Sequence, residues 1–580
     1  MIRLSKALMG FAGLLTLATG LWAQPKLRLV TTTVGPVQFA VGGVPPAQTV
    51  EAYNAGSGAL SLTFTSNVPW MQAAVGAQRA CSNRAGNCIP INIAFQSTSL
   101  ARGTYTGTLT VRDPNAIDAP QTISVTVQPG GGVPDRVSLY VPPNGGVEEF
   151  PFTAAGQLQT SVTAGGGDWL AVSLDGGGSF RFRWDYKIVA RSQPTMGTGT
   201  YNGNITINGS PFPSDNRAVP VTLNVTTSPI AALATPTVAF RIPQGGGKQT
   251  QYGVLTNRGQ GTLSVSGAAV STASGGNWLV ATTDGSGLVK LDADAGSLAI
   301  GSYTATVSVA SNAANAPSSV PVTLDIVAAG PPEVSFGGVL NNATFARDEA
   351  VALGGITSVF GDQFTAPGAA LSLASGAPLP TTLGGVRVLV NDRPAPIYFV
   401  SYNQINFQMP TDVATGDATV RVERDGQRGN AVSVGVVQRQ PRVLIWPIAG
   451  SYGIAVNSDG TLPLPTGTNL GSFRGRPARA GDTLVIYAIG LGPTNPQVAS
   501  GTAAPSGPLA RVDGVTVVVG ARGPFGGINI DPLFAGLSPG FVGLYQINVT
   551  LPQGIPTGDS IPVSLDVAGS ASNIFRIAVQ

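Results

Sequence analysis

From residue 24 onward the chain consists of short runs in which Val, Ile, Leu or Thr alternates with polar residues. Tyr105-Thr106-Gly107-Thr108-Leu109-Thr110-Val111 and Val219-Pro220-Val221-Thr222-Leu223-Asn224-Val225 are examples. Alternation with a period of two puts successive side chains on opposite faces of a strand, one toward a core and one toward water. Gly, Pro, Asn and Asp punctuate these runs as turn residues do. No long segment places apolar residues at helical spacing between good caps. The pattern predicts an all-β chain of tandem immunoglobulin-like β-sandwiches, joined by short Pro/Gly linkers into an extended multidomain rod.

Internal repeats set the domain size. A Trp followed by an apolar residue, then a Gly-x-Tyr strand, then a closing alternating strand, occurs three times in the first 330 residues. The Trp positions are Trp70, Trp169 and Trp278, and the Tyr positions are Tyr105, Tyr201 and Tyr303. Tyr-to-Tyr spacings of 96 and 102 residues suit an immunoglobulin-like sandwich. Each Trp, and each Tyr with it, is expected in the core of its own sandwich. The expected divisions are a leader at 1–23 and sandwiches at 24–129, 130–228 and 229–330.

A different duplication occupies the remainder. Gln404-Ile405-Asn406-Phe407-Gln408-Met409-Pro410 returns as Gln546-Ile547-Asn548-Val549-Thr550-Leu551-Pro552, and Thr-Gly-Asp follows each, at Thr415 and Thr557. This predicts two further sandwiches, 331–438 and 439–580. The interval from Gly385 to Gln404 is 19 residues, whereas that from Gly514 to Gln546 is 32. The extra stretch carries Phe525, Ile528, Ile530, Leu533, Phe534, Leu537, Phe541 and Leu544. That is too apolar for a solvated loop, so part of it is expected to pack on the neighbouring domain, residues 334–438, with an exposed partner-binding patch as the alternative.

Composition narrows the chemistry. The chain has 580 residues and no His, which removes the commonest general base, the commonest zinc ligand and every Ser-His or Cys-His pair. With 32 basic and 29 acidic residues, there is no electrostatic case for nucleic acid. Arg3 and Lys6, the apolar run Ala7 to Leu21 and the site Leu21-Trp22-Ala23 read as a secretory signal. Its removal implies a secreted or cell-surface protein without stable membrane insertion. Cys81 and Cys88, the only cysteines, are then expected as a disulfide closing a small loop, with free thiols or a two-ligand metal fragment as the alternatives in a reducing compartment.

The stretch from Phe534 to Pro552, with Leu379-Pro380-Thr381-Thr382-Leu383-Gly384-Gly385-Val386 and Gly481-Asp482-Thr483, resembles a known bacterial signature. Residues 334 to 580 are similar to the uncharacterised C-terminal domain abundant in Solibacter and other Acidobacteria. Each half also resembles the IPT/TIG fold, and the three upstream repeats resemble BACON-type modules. The resemblance implies an exported protein and assigns no activity.

Remaining motifs are weighed against simpler readings. Gly536-Leu537-Ser538-Pro539-Gly540 matches a nucleophile elbow in letters only, since it lacks a His partner and Pro539 removes an N–H. Asp292-Ala293-Asp294-Ala295-Gly296 has the start of a calcium loop without its later ligands. Neither supports a catalytic residue, metal or cofactor. Trp184, Tyr186, Trp446 and Tyr452 lie outside the repeat positions and are candidates for stacking on sugars, with core or interdomain packing as the alternative. Two functions stay open: a non-enzymatic adhesion, glycan-binding or structural scaffold, and an accessory or carboxylate-dependent glycoside hydrolase. A pocket holding two carboxyl groups roughly 5 to 10 Å apart would favour the second.

Overall fold

The structure is a computed structural model that describes residues 24–174, 184–446, 451–470, 473–520 and 527–580. The expected leader, 1–23, and Phe525 lie outside the described residues. Among the described residues there is no α-helix, only strands and one 3-10 turn at Pro213–Asp215. Among these residues no helix is long and apolar enough to cross a membrane.

The protein is a tandem run of immunoglobulin-like β-sandwiches. Five apolar clusters fill it, drawn from residues 27–127, 133–225, 231–326, 334–436 and 443–579. In the first, strands Leu27–Leu29, Gln48–Asn54, Asn87–Phe95 and Met71–Val75 form one sheet. Thr33–Phe39, Gln121–Pro129, Tyr105–Arg112 and Thr63–Ser66 form the other. Thr33–Phe39 runs parallel to the closing strand, with Val37 opposite Val127. Val137–Val141 and Val238–Pro243 repeat that parallel pairing in the second and third sandwiches. Period-two alternation does the burying: Leu109, Val111, Ile123, Val125 and Val127 are all inside, with half-buried Thr110, Ser124 and Thr126 between them on the outer face.

Trp70, Trp169 and Trp278 are buried at equivalent places. The indole N–H donates to the carbonyl four residues upstream in two of them, Trp169 to Gly165 O at 2.9 Å and Trp278 to Ser274 O at 3.1 Å. Gly107 and Gly203, two residues after the repeat Tyr, let the ring lie flat against the strand. A Cβ at either would stand 3.2 Å from the indole Cζ2 and closer still to a neighbouring side chain. Tyr105, Tyr201 and Tyr303 are half-buried against the cores. Tyr201 and Tyr303 donate their hydroxyls to Gly197 O and Ala299 O, a tether of the strand end to its own loop.

The sandwiches do not continue as a simple rod. The first meets the second through Arg102, which pairs with Asp135 and Asp215, and through Gln38 Nε2, 2.9 Å from Thr153 O. Gly131, at φ +88°, sits where a Cβ would be 2.1 Å from Asp215 Oδ2, so this joint is tight. Arg258 and Glu148 link the third to the second at 2.6 Å. The fourth then returns to the first. Asp118, fully buried, receives Arg28, Ser433 N at 2.5 Å and Ser433 Oγ at 2.8 Å, while its own N–H donates to Ala431 O. Lys26–Asp417 and the Asn430 bond to Ala119 O add to this contact. The rod expectation is corrected accordingly: the tandem sandwiches hold, but four of them close into a circuit. Linker composition reports flexibility, not which faces later meet.

The fifth sandwich packs on the fourth. Arg442 pairs with Glu349 at 2.8 Å, Gly501 N donates to Gln408 Oε1 at 2.6 Å, and the Tyr398 hydroxyl donates to Val542 O. The extra apolar stretch contributes less to this interface than expected. Ile528–Ile530 and Phe534–Leu537 form strands of the fifth sandwich itself, so its own core covers most of that apolar surface. Val542 and Gly543 reach the fourth sandwich, while Leu533 and Phe541 stay exposed.

Candidate functional site

Closure of the circuit leaves a cleft of about 1230 Å³ where the first, third and fourth sandwiches meet. Each wall is the water-facing side of a strand set whose other side is core. In the first sandwich, Thr65 stands opposite Thr110 and Thr63 opposite Arg112, alternating with inward-pointing Phe64 and Val111. In the third, Asp325 lies between Arg241 on one neighbouring strand and Ser302 on the other. In the fourth, the hairpin of Gly416–Arg424 and Gln427–Val437 supplies Arg421, Arg428 and Asn430. The linker 328–332 forms a further wall, clamped by Gly330 N to Gln363 Oε1 at 2.9 Å and Arg424 Nη2 to Gly330 O at 3.0 Å.

A charge junction ties the three sandwiches beside this cleft. Glu333 takes Arg112 at 2.6 Å and Arg241 at 3.2 Å, and Arg241 Nε is also 2.5 Å from Asp362. Burial pushes the Asp362 carboxyl up to about 6; Arg241 opposes this, and Glu333 and Asp325 add to it. Arg421 behaves in the mirrored sense. Burial and the adjacent Arg428 hold its guanidinium below the usual value.

Asp113, Asp325 and Glu333 all line the cleft, so three carboxyl groups share it; Asp113 is buried and held by Ser61 N and Asn115 N. Glu333 is engaged by two guanidiniums and Asp325 by the Ser302 hydroxyl. Sequence reading missed all of these residues. Arg241 and Asp325 look like ordinary exposed members of alternating strands, and no local spacing distinguishes them.

The residues singled out from sequence lie elsewhere. Trp184 is half-buried against the second core. Tyr186 is buried, its hydroxyl accepting Leu158 N at 2.7 Å and its ring stacked on Phe152 at 5.4 Å. That corrects the sugar-stacking candidacy of Tyr186, because the alternating strand turns it inward. Trp446 and Tyr452 come together in the fifth sandwich, Trp446 N donating to Tyr452 O, with the Trp446 ring 6.0 Å from exposed Phe473. None of the four lines the cleft.

Cys81 and Cys88 are joined as a disulfide in a hairpin over the first sandwich. The hairpin covers Glu51, whose carboxylate accepts Ser82 N and Oγ and so stays below the usual carboxylate range. Asp292 and Asp294 lie on one strand, each beside a lysine, Lys290 at 2.7 Å and Lys248 at 3.9 Å. Ser538 is buried in a turn after Phe534–Leu537, its hydroxyl on Gln546 Oε1 at 3.2 Å.

No family model matches the chain, and no curated protein matches it. Among solved structures it is similar to an endo-fucoidan hydrolase of glycoside hydrolase family 107, at 12% identity and TM-score 0.18. That match covers 53% of this chain and 45% of the hydrolase, so the chain spans less than half of that protein's length. The human desmocollin-1 ectodomain matches over 84% of this chain and 87% of its own, at 9% identity and TM-score 0.15. The titin I-band fragment I67–I69 matches over 53% and 99%, at 10% identity and TM-score 0.14. None of these likenesses is close enough to bear on function.

Proposed function

We propose that the protein is an exported, non-enzymatic scaffold of β-sandwiches that holds an extracellular glycan in the cleft between its first, third and fourth sandwiches. The observation that carries this reading is the cleft itself. Its walls come from three domains and present hydroxyls, amides and guanidiniums, the groups that hydrogen-bond sugar hydroxyls. Export is drawn from the leader-like sequence at 1–23 and from a disulfide that suits an oxidising compartment.

The test is a glycan array probed with the secreted chain, followed by the same array with Thr65→Trp. Thr65 is exposed on the cleft wall, so an indole there fills space without touching the core. The expected outcome is binding to a defined glycan set that Thr65→Trp removes without lowering the melting temperature. Binding that survives the substitution places the ligand elsewhere and refutes the reading.

A carboxylate-dependent glycoside hydrolase is the second reading, favoured by Asp325 and Glu333 sharing the cleft and by the raised Asp362 beside them. It requires turnover of the bound glycan that Glu333→Gln abolishes. Release of reducing ends by the unmodified chain, lost in that variant, would establish it.

A further inference from the structure

We propose that the cleft's ligand is an acidic polysaccharide whose carboxylate or sulfate groups are anchored by Arg421. This deepens the glycan reading above and rests on it. Each acidic group in the cleft is already engaged. Glu333 is paired with Arg112 and Arg241, Asp325 accepts from Ser302, and Asp113 is buried and accepts Ser61 N and Asn115 N. Among the cleft's arginines, Arg428 is matched by Asp392 at 2.5 Å and Glu423 at 2.9 Å. Arg421 differs from them. Among the described residues no carboxylate pairs with it, and its one hydrogen bond goes to a neutral carbonyl, Gly429 O.

Arg421 is in register with Ala431, and ordinary alternation turns it to the outer face of the hairpin. The register irregularity beyond it puts one extra residue on the facing strand, between Ala431 and Arg428, where Gly429 supplies the carbonyl that Arg421 holds. Arg421 is half-buried beside Arg428; burial and that cation disfavour its charge, and Asp392 and Glu423 offset this in part from a distance, without an ion pair. An incoming oxyanion removes that cost, and the planar guanidinium fork matches carboxylate and sulfate in two parallel hydrogen bonds. Thr63, Thr65, Thr110 and Asn67 supply neutral hydrogen-bonding groups along the facing wall. The cleft's 1230 Å³ exceeds the roughly 300–1,000 Å³ of a small-molecule pocket, which leaves space for several sugar units.

The experiment is calorimetric titration of the full chain with polygalacturonate, dextran sulfate, neutral dextran and polyglutamate, each at low and physiological salt. One or both acidic glycans are expected to bind, more weakly as salt rises, and the tighter of the two identifies the carboxylate or the sulfate as the group held. Arg421→Gln should weaken that binding by about tenfold or more, the worth of one charge-assisted hydrogen bond, with the melting temperature unchanged. If Arg421→Gln melts early, Arg421→Lys carries the test, since it keeps the charge and removes the fork; a smaller but measurable loss is expected.

Unaltered affinity in both variants overturns the role of Arg421. Polyglutamate bound as tightly as the acidic glycans overturns the polysaccharide assignment in favour of an acidic peptide. Neutral dextran bound as well as the charged polymers, and lost in Thr65→Trp, overturns the acidic ligand while leaving the cleft reading intact. No binding by any polymer, together with an unresponsive glycan array, defeats both.

Discussion

Asp118→Asn tests whether the first sandwich is held on the fourth. Asp118 is fully buried at that contact, and both its oxygens are engaged. Oδ1 accepts Ser433 N at 2.5 Å, while Oδ2 accepts Ser433 Oγ at 2.8 Å and the Arg28 guanidinium. The amide replacement keeps the shape and tolerates the φ of 64°, a left-handed conformation that Asn adopts readily. It also preserves the bond from residue 118 N to Ala431 O. What it removes is the charge, leaving Arg28 facing an uncharged group or an amide donor. Losing one partner of a buried, hydrogen-bonded charge pair costs about 2–5 kcal/mol. That shifts the docking equilibrium by about thirtyfold to several thousandfold.

Small-angle scattering should show a larger radius of gyration for Asp118→Asn, and thermal melting should show the first sandwich separating from the fourth. Because the cleft is built between these domains, ligand binding should fall as well. Lys26→Ala is the control. Its partner Asp417 is largely exposed, and such a rim pair is worth only about 0–1 kcal/mol. An unchanged radius with one unaltered cooperative transition in Asp118→Asn would refute the closed circuit.

Asp362 makes the three-domain junction pH-dependent. Its folded-state pKa of about 6 lies above the ordinary 3.8, so the folded chain binds more protons in that window and stability falls as pH rises through it. The effect is on the order of 3 kcal/mol at most, and Arg241, Glu333, Asp325, Tyr402 and Arg424 surround this site. Denaturant titrations at pH 5 and 7 should differ in that direction, and Asp362→Asn should remove the difference. Trp169→Ala should cost about 3–5 kcal/mol and melt mainly the second sandwich, as followed by calorimetry; a loss spread over every transition would contradict its placement in one core. Replacing both cysteines by Ser should lower the stability of the first sandwich by about 2 kcal/mol, because so short a loop saves little chain entropy. It should also raise the Glu51 pKa by loosening Ser82, measurable by carboxyl NMR titration; an unmoved Glu51 would show that the hairpin stays in place without the bond.

The β-sandwich fold and the burial of the repeat Trp residues were legible in the residue order because their causes are local. A period of two along Tyr105–Arg112 decides which side of one strand is buried, whatever the rest of the chain does. The recurrence of Trp70, Trp169 and Trp278 marks one core position, since each ring needs the same pocket between its own two sheets. The close approach of Gly107 and Gly203 to those rings was also present in the letters, as a Gly two residues after each of the first two repeat tyrosines. Tyr186 stayed open between sugar stacking and core packing because its place outside the repeat pattern said nothing of its direction, which the strand's register set.

The cleft was not legible, and the reason is physical. Asp118 reads as a turn residue after Asn115-Ala116-Ile117, yet it meets Ser433, 315 positions away. Arg421 alternates like any water-facing strand residue, and only the arrival of the first and third sandwiches makes it part of a shared wall. Contacts between domains depend on how rigid bodies dock, which is set by a few buried charges and hydrogen bonds with no periodicity to read. The order of residues determined each sandwich, and the tertiary structure alone decided which of their outer faces look at one another.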